Sequence, residues 1–329
     1  MKKNITIPFF IPHRGCPHQC VFCNQHSITG ESNQISTELI NQRVMEYVAD
    51  KDLVAQIGFF GGTFTALPLE EQETYLKAAC NLKKSGHIHS IRLSTRPDSV
   101  SDIICNMLKH YGVDTVEIGV QSFDNDVLYS SERGHSREDS INALKLLRKY
   151  GFRTGIQLMP GLPSSTYQSD IESAKTAAKL NPDDLRIYPT VVIKNTRLAW
   201  LYQQGLYTPL SLEQAINICA QIYAIFEPLS TKIIRIGLHA LSDAESVISG
   251  PYHTAFGFLV KSRFYRNIME AKLPSSSNEN IKFSAELPAQ NYEEYIGNKK
   301  DNILYLEKKY NIRINYHRGT NLRFEPVSL

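Results

Sequence analysis

The sequence predicts an α/β protein: a partial (β/α)6, TIM-like barrel followed by a small α+β extension. Two observations carry that expectation. From residue 5 to about residue 240, short β-branched and aromatic runs alternate six times with helical stretches, and the connections have βα length. Near residue 240 the alternation stops, and Gly250-Pro251 then punctuates the chain. The barrel is therefore placed at 1–240 and the extension at 241–329.

Ile5 to Ile11 reads as the first strand and runs into a loop holding three cysteines. A helix from about Thr37 sets Ile40, Val44, Tyr47 and Val48 on one face. Val54 to Phe60 is the second strand, ending at Gly61-Gly62-Thr63, and its helix carries Leu69, Leu76, Ala79 and Leu82. Ile91 to Thr95 is the third, before a helix with Val100, Ile103, Ile104, Met107, Leu108 and Tyr111 at helical spacing. Thr115 to Val120 is the fourth, before Ile141, Leu144, Leu147 and Tyr150. Thr154 to Met159 and Leu185 to Tyr188 complete six, and Ile233 to Leu238 offers a late strand. Ser211-Leu-Glu-Gln214 has the capping-box pattern of a helix start. In the extension, Phe256 to Met269 reads as a helix and Pro274 to Asn280 as an exposed loop.

Composition excludes more than it selects. The 329 residues are 42% hydrophobic and 21% charged with a net charge of +3, which gives no global argument for nucleic acid or a membrane. The apolar stretch after Lys2 and Lys3 is short and broken by Pro8 and Pro12, unlike a signal peptide. No run approaches the roughly 20 apolar residues of a membrane span. The expected location is cytoplasmic, with no membrane partner.

Of six cysteines, Cys80, Cys105 and Cys219 are scattered among apolar residues and read as buried thiols. Cys16, Cys20 and Cys23 share one loop with C-x3-C-x2-C spacing, and without a secretory signal such spacing points to metal or catalysis. Three thiolates can hold three irons of a [4Fe–4S] cube and leave the fourth open to a small molecule. The alternative is structural zinc, with His13, His18 or His26 as fourth ligand. Structural zinc usually staples small loop-rich units, whereas this loop follows the first strand of a barrel. In such barrels chemistry sits at the C-terminal strand ends. There stand the cysteine loop, Gly61-Gly62, Ser94 to Asp98 and Gln121-Ser122.

The cysteine spacing after a first strand, with Phe22 just before the last cysteine, resembles the radical S-adenosylmethionine (SAM) superfamily. That resemblance implies a radical SAM barrel, a [4Fe–4S] cluster on Cys16, Cys20 and Cys23, and SAM chelating the open iron. It also implies reductive cleavage of SAM to methionine and a 5′-deoxyadenosyl radical that takes a hydrogen atom from a substrate. The electron would come from a donor of flavodoxin or ferredoxin type. Gly61-Gly62-Thr63 would then contact SAM, with Thr63 in place of the superfamily's usual Glu. A side chain at Gly62 would fill this corner and block SAM while sparing the cluster.

A closer resemblance runs through Gly61 to Pro68, Ser94-Thr-Arg-Pro-Asp98, Glu117-Ile-Gly-Val-Gln-Ser122, Arg133-Gly-His135, Met159 to Pro163 and Tyr188 to Thr196. In that order these strings resemble the radical SAM half of the Elongator catalytic subunit, which modifies the wobble uridine of tRNA. The resemblance places Thr95 and Arg96 near SAM, Gln121 near its ribose or methionine, and Tyr188 near its adenine. The last 90 residues leave no room for an acetyltransferase domain, and no second cysteine cluster suggests sulfur insertion. The expected activity is radical chemistry on RNA, with tRNA as partner. Two alternatives stand beside it. Gly119 to Phe123 and Gly161-Leu-Pro163 also resemble coproporphyrinogen oxidases, which act on a small molecule, and a non-catalytic iron–sulfur RNA-binding protein is the third reading.

Ile296-Gly-Asn-Lys-Lys to Ile314 resembles the core of a KH module, with Gly297 at the first loop glycine and Lys300 at the second. Such loops clamp single-stranded nucleotides. Lys299 and Lys300 would meet phosphates, with Arg313, His317, Arg318 and Arg323 nearby in sequence. The alternative is a solvated helix and strand packed on the barrel.

Overall fold

The computed structural model describes residues 3–11, 13–24, 35–48, 53–239, 244–273 and 281–327. His26, the loop expected at 274–280 and the boundary expected at 240 lie outside them. Seven strands form one parallel sheet: β1 (Lys3–Phe10), β2 (Leu53–Phe60), β3 (Ser90–Thr95), β4 (Thr115–Gln121), β5 (Arg153–Leu158), β6 (Asp184–Ile187) and β8 (Lys232–Ile236). They pair in chain order, and the late strand is the seventh. Thr6 of β1 and Ile234 of β8 line one cavity although the two strands do not pair, so the sheet curls into an open barrel.

The sheet's outer face is apolar and covered by helices. Ile7, Ile57, Leu93, Val116 and Ile118 are buried against Ile40 and Val44 of α1 (Thr37–Val48), Leu76 of α2 (Leu69–Lys84), Leu108 of α3 (Asp102–His110) and Leu147 of α5 (Arg137–Lys149). A short α4 (Asn125–Ser130) precedes α5, and α6 (Tyr167–Lys179) and α7 (Arg197–Gln203) follow. Side-chain caps define the starts: Ser101 accepts from the Ile104 amide, and Ser211 and Gln214 form the expected capping box on α8 (Leu212–Phe226). Periodicity overreached in places, since Tyr47, Leu69 and Ile103 are exposed rather than on the buried stripe. Cys80, Cys105 and Cys219 are buried thiols.

The extension continues the barrel's core. Gly237, at φ +81°, leaves space for Phe256, whose Cβ would lie 2.9 Å from a side chain there. This contact starts α9 (Phe256–Glu270) beside the C-terminal end of β8. α9 packs on α8, and α10 (Tyr292–Ile296) and α11 (Asp301–Tyr310) pack on α9. A three-stranded sheet follows, β10 (Lys282–Pro288) between β11 (Arg313–Gly319), parallel to it, and β12 (Arg323–Val327), antiparallel. One apolar cluster joins Phe226, Val260, Phe283 and Leu306 to the barrel. The buried Asn302 amide donates to Ser262 O, Glu294 O and Tyr295 O at 3.0–3.1 Å, tying the turn before α11 to α9. A two-stranded ribbon of β7 (Val192–Ile193) and β9 (Val247–Ser249) caps the barrel mouth.

Asp170 on α6 is the buried acid that braces the loop after β5, accepting from the Gly161 amide at 3.1 Å. Tyr207 holds the same residue by donating to Gly161 O at 2.6 Å. Burial pushes the Asp170 carboxyl up from 3.8 to about 7. The folded state therefore retains a proton that the unfolded chain releases near pH 4. Its contribution is full below pH 4 and is lost as pH rises toward 7, roughly 4 kcal/mol at 1.36 kcal/mol per pH unit. Asp170→Asn keeps an acceptor for Gly161 and cannot ionise. Its stability relative to wild type should rise steadily from pH 4 to pH 7 in urea unfolding, and a pH-independent difference would refute this assignment.

Candidate functional site

The C-terminal strand ends open into a cavity of about 1040 Å³ whose wall includes Cys16, Cys20 and Cys23, all half-buried. Backbone contacts shape their loop. The Ile11 amide donates to Phe60 O at 2.8 Å, and the Thr63 amide donates to Arg14 O at 2.9 Å. A Cβ on Gly62 would lie 2.1 Å from Arg14 O and 2.4 Å from Ile11 O. A Cβ on Gly15, at φ +69°, would lie 2.3 Å from Thr63 O. The close approach at Gly62 is thus made by the cysteine loop's own backbone, so a side chain there would displace the thiols. This corrects the expectation that Gly62 guards only SAM. Gly61, at φ +99°, turns the chain in the left-handed region and lines the cavity.

The loop's middle is held from the other side. The Val21 amide donates to Ser131 O at 3.2 Å, and Val21 O accepts from the Leu198 amide at 2.7 Å. Val21 sits in a small apolar cluster with Val192, Leu198 and Tyr207.

Cys16 and Cys20 have different surroundings. Cys16 Sγ lies 3.3 Å from Thr63 Oγ1. Cys20 Sγ lies 3.0 Å from Arg133 Nη1 and 3.9 Å from Arg96 Nη1. Arg96 is buried and gripped at both ends of its guanidinium by Asp98 at 2.9 Å, while its Nη2 also donates to Arg133 O. Thr65 donates to Ser99 O at 2.5 Å, so Thr95 donates to Thr65. The Thr95 hydroxyl is therefore satisfied within the protein. His135 is buried under these guanidiniums. Burial, then Arg133 and Arg96, push it down to about 3, so the ring is neutral. Its Nε2 donates to Val120 O at 3.3 Å, and its Nδ1 has no hydrogen-bond partner among the described residues.

The barrel interior is polar. Glu117 is buried between Arg92 and Arg186, with Arg186 Nε 2.7 Å from Oε2. Burial alone would push its carboxyl up, but Arg186 and then Arg92 outweigh that and hold it below the usual value. Arg92 also reaches Asp184 at 2.6 Å, and Arg186 donates to Tyr188 OH at 3.1 Å. Gln121 follows a bulge in β4 at φ +68°, its Oε1 accepting from Gln157 at 3.0 Å. A non-glycine residue in that region stores strain, a common mark of a functional position.

Comparison with known proteins supplies a family. The family described as the radical SAM superfamily matches residues 10–177, about half of the chain, and a radical SAM C-terminal domain matches residues 182–266. The chain belongs to the radical SAM superfamily. It is 30% identical over 252 residues to a tRNA uridine(34) acetyltransferase of Methanocaldococcus infernus, covering 64% of this chain and 47% of that one. It is 28% identical over 274 residues to human Elongator complex protein 3, covering 68% and 49%. Its fold resembles the archaeal Methanocaldococcus infernus Elp3 structure with a TM-score of 0.65 at 23% identity, covering 87% and 71%. The chain spans about half the length of the curated relatives it matches.

Radical SAM enzymes use a [4Fe–4S] cluster and SAM. The residues present fit both. Three soft thiols share one cavity wall, two guanidiniums stand beside one of them, and the cavity is far larger than the thiols need. In a cube each thiolate meets its own iron. Of the histidines weighed as a fourth ligand, His18 stands 4.0 Å from Asp98 and against Gly134, and His13 also lines the cavity.

All seven residues expected near SAM line this cavity: Gly61, Gly62, Thr63, Thr95, Arg96, Gln121 and Tyr188. Sequence reasoning missed Arg133, Gln157 and Arg186 as site residues. Arg133 stood in a quoted motif, but nothing local showed that it reaches Cys20, 113 residues away.

Gly62→Ala is expected to lower iron retention after anaerobic reconstitution as well as SAM binding. Four irons per chain in a folded Gly62→Ala protein would show that the cysteine loop tolerates the collision.

Proposed function

We propose that this chain binds the cluster through Cys16, Cys20 and Cys23, cleaves SAM reductively in the adjoining cavity, and modifies tRNA. One observation carries the reading: the three thiols, the Gly61-Gly62 corner and the polar strand ends line a single cavity at the C-terminal face of the barrel. When bound, the cluster supplies one electron to SAM, whose cleavage starts hydrogen-atom transfer. In this reading Gly61, Gly62 and Thr63 hold the methionine end, Thr95 and Arg96 shape the wall, Gln121 meets the ribose or methionine, and Tyr188 meets the adenine. Thr95 and Arg96 act through their fixed positions, since their polar groups are already engaged. The reductant is a one-electron donor of flavodoxin or ferredoxin type.

The names of the relatives support tRNA as the substrate class. The extension supplies a contact of suitable chemistry. Lys299 and Lys300 are exposed on a turn after Gly297, at the end of α11 anchored to α9 through Asn302. The Gly-Asn-Lys-Lys turn is followed by a helix and then a strand, which supports the KH resemblance. Arg313 and Arg318 are poorer candidates than the sequence suggested, because Glu307 and Glu293 pair with them.

Anaerobically reconstituted protein should hold about four irons and release 5′-deoxyadenosine with dithionite. Cys16→Ala, Cys20→Ala and Cys23→Ala should each abolish both, while Cys219→Ala keeps them. Stoichiometric zinc without iron would overturn the cluster assignment. Lys299→Glu with Lys300→Glu should weaken tRNA binding and flatten its salt dependence, by a slope of roughly 1.5 for two lost phosphate contacts. Equal affinity and slope would leave the turn a packing element and favour a small-molecule substrate.

A further inference from the structure

We propose that Arg133 sets the reduction potential of the cluster by donating a charge-assisted hydrogen bond to the Cys20 thiolate. This rests on the assignment of Cys20 as a cluster ligand. The contact is direct, with Nη1 3.0 Å from Sγ, and Arg133 as a residue is only 5% exposed. A hydrogen bond from an ionised donor is about twice as strong as a neutral one, and a dry setting strengthens it further.

The guanidinium and the turn that carries it are held by the protein's own backbone. The Arg133 amide donates to Leu128 O at 3.0 Å, and Arg133 Nη2 donates to Gly119 O at 2.6 Å. The Arg133 carbonyl takes a hydrogen bond from Arg96, itself clamped by Asp98. The turn carrying Arg133 is joined to the cysteine loop through the Ser131–Val21 contact. His18 of that loop lies where a Cβ on Gly134 would stand, 2.3 Å from its Nε2. Cys20 and Arg133 therefore move as one unit.

Cys16 and Cys20 are not equivalent. Cys16 has a neutral hydroxyl, Thr63, at 3.3 Å, whereas Cys20 faces Arg133 with Arg96 behind it at 3.9 Å. Reduction adds one negative charge to the cluster. A buried cation hydrogen-bonded to a ligand sulfur stabilises that charge and raises the potential. Arg133 acts through Cys20, so its effect must appear in the potential before any substrate or SAM is present.

The test is a redox titration of the reconstituted cluster, followed by electron paramagnetic resonance without SAM, on wild type, Arg133→Lys, Arg133→Gln and Arg133→Met. Arg133→Met should lower the midpoint so that, at the wild-type midpoint, the ratio of reduced to oxidised cluster falls about tenfold, equivalent to about 59 mV for one electron. Arg133→Lys, which keeps the charge, should recover part of the shift, and Arg133→Gln should lie nearer Met. Unchanged midpoints in variants that hold four irons overturn the proposal. So does a shift that appears only with SAM, because Arg133 would then act on SAM and not on Cys20. If all three variants fold by circular dichroism but hold no cluster, Arg133 serves assembly and the proposal also falls. A wild-type protein without a cluster would instead defeat the cluster assignment on which this rests.

Discussion

Where the second strand ends, the backbone of Gly62 and Thr63 meets the carbonyls of Ile11 and Arg14 with no space for a side chain between them. The rest of the site depends on that contact. It holds the cysteine loop against the barrel rim, and it places Thr63 beside Cys16. A loop with three half-buried thiols has little apolar surface of its own to fold around. Its shape is borrowed from neighbours: the Gly61-Gly62 corner on one side, and Ser131 and Leu198 on the other. Both neighbours come from far along the chain, so the thiols take their positions only when the barrel has closed around them.

The interior of this barrel is charged where a (β/α)8 barrel is usually filled with branched aliphatic side chains. Glu117 would be costly to bury alone, yet it lies between two guanidiniums that keep it ionised. The same arginines reach Asp184 on one side and Tyr188 on the other, so the network ends at the cavity wall. Such an arrangement is weak evidence for stability, since a hydrophobic replacement is often as stable. It makes sense as a rigid polar floor for a ligand that carries charge and hydrogen-bonding groups.

The extension is joined to the barrel more closely than its sequence suggested. Phe256 fits beside Gly237, Asn302 ties the turn before α11 to Ser262, and aromatic contacts among Tyr223, Phe264, Tyr265 and Tyr295 fill the seam. α9 begins at the mouth end of β8, and the Gly297–Lys300 turn is fixed near its N-terminal half, whereas Lys309 pairs with Glu270 at its far end. The exposed lysines of the turn thus belong to an extension packed on the barrel that carries the cavity.

Much of this protein follows from its sequence alone. The alternation of short β runs and helices determines the parallel sheet, because strands buried on one face by helices must carry apolar residues such as Ile57, Leu93 and Val116 at alternate positions. Cysteine spacing of three and two residues points to metal or catalysis, because three thiols on one short loop have few other uses in a chain of this kind. What the sequence left open is what faces what across the fold. Gly62 reads as a corner for a ligand until the structure brings Arg14 against it. Arg133 reads as part of a turn until Cys20 lies 3.0 Å away, and Glu117 reads as an ordinary strand residue until Arg92 and Arg186 close over it from two other strands. Periodicity reports only which face of an element is apolar. Contacts between residues 25 to 113 apart are set by strand order, curl and register, and only the folded chain has those.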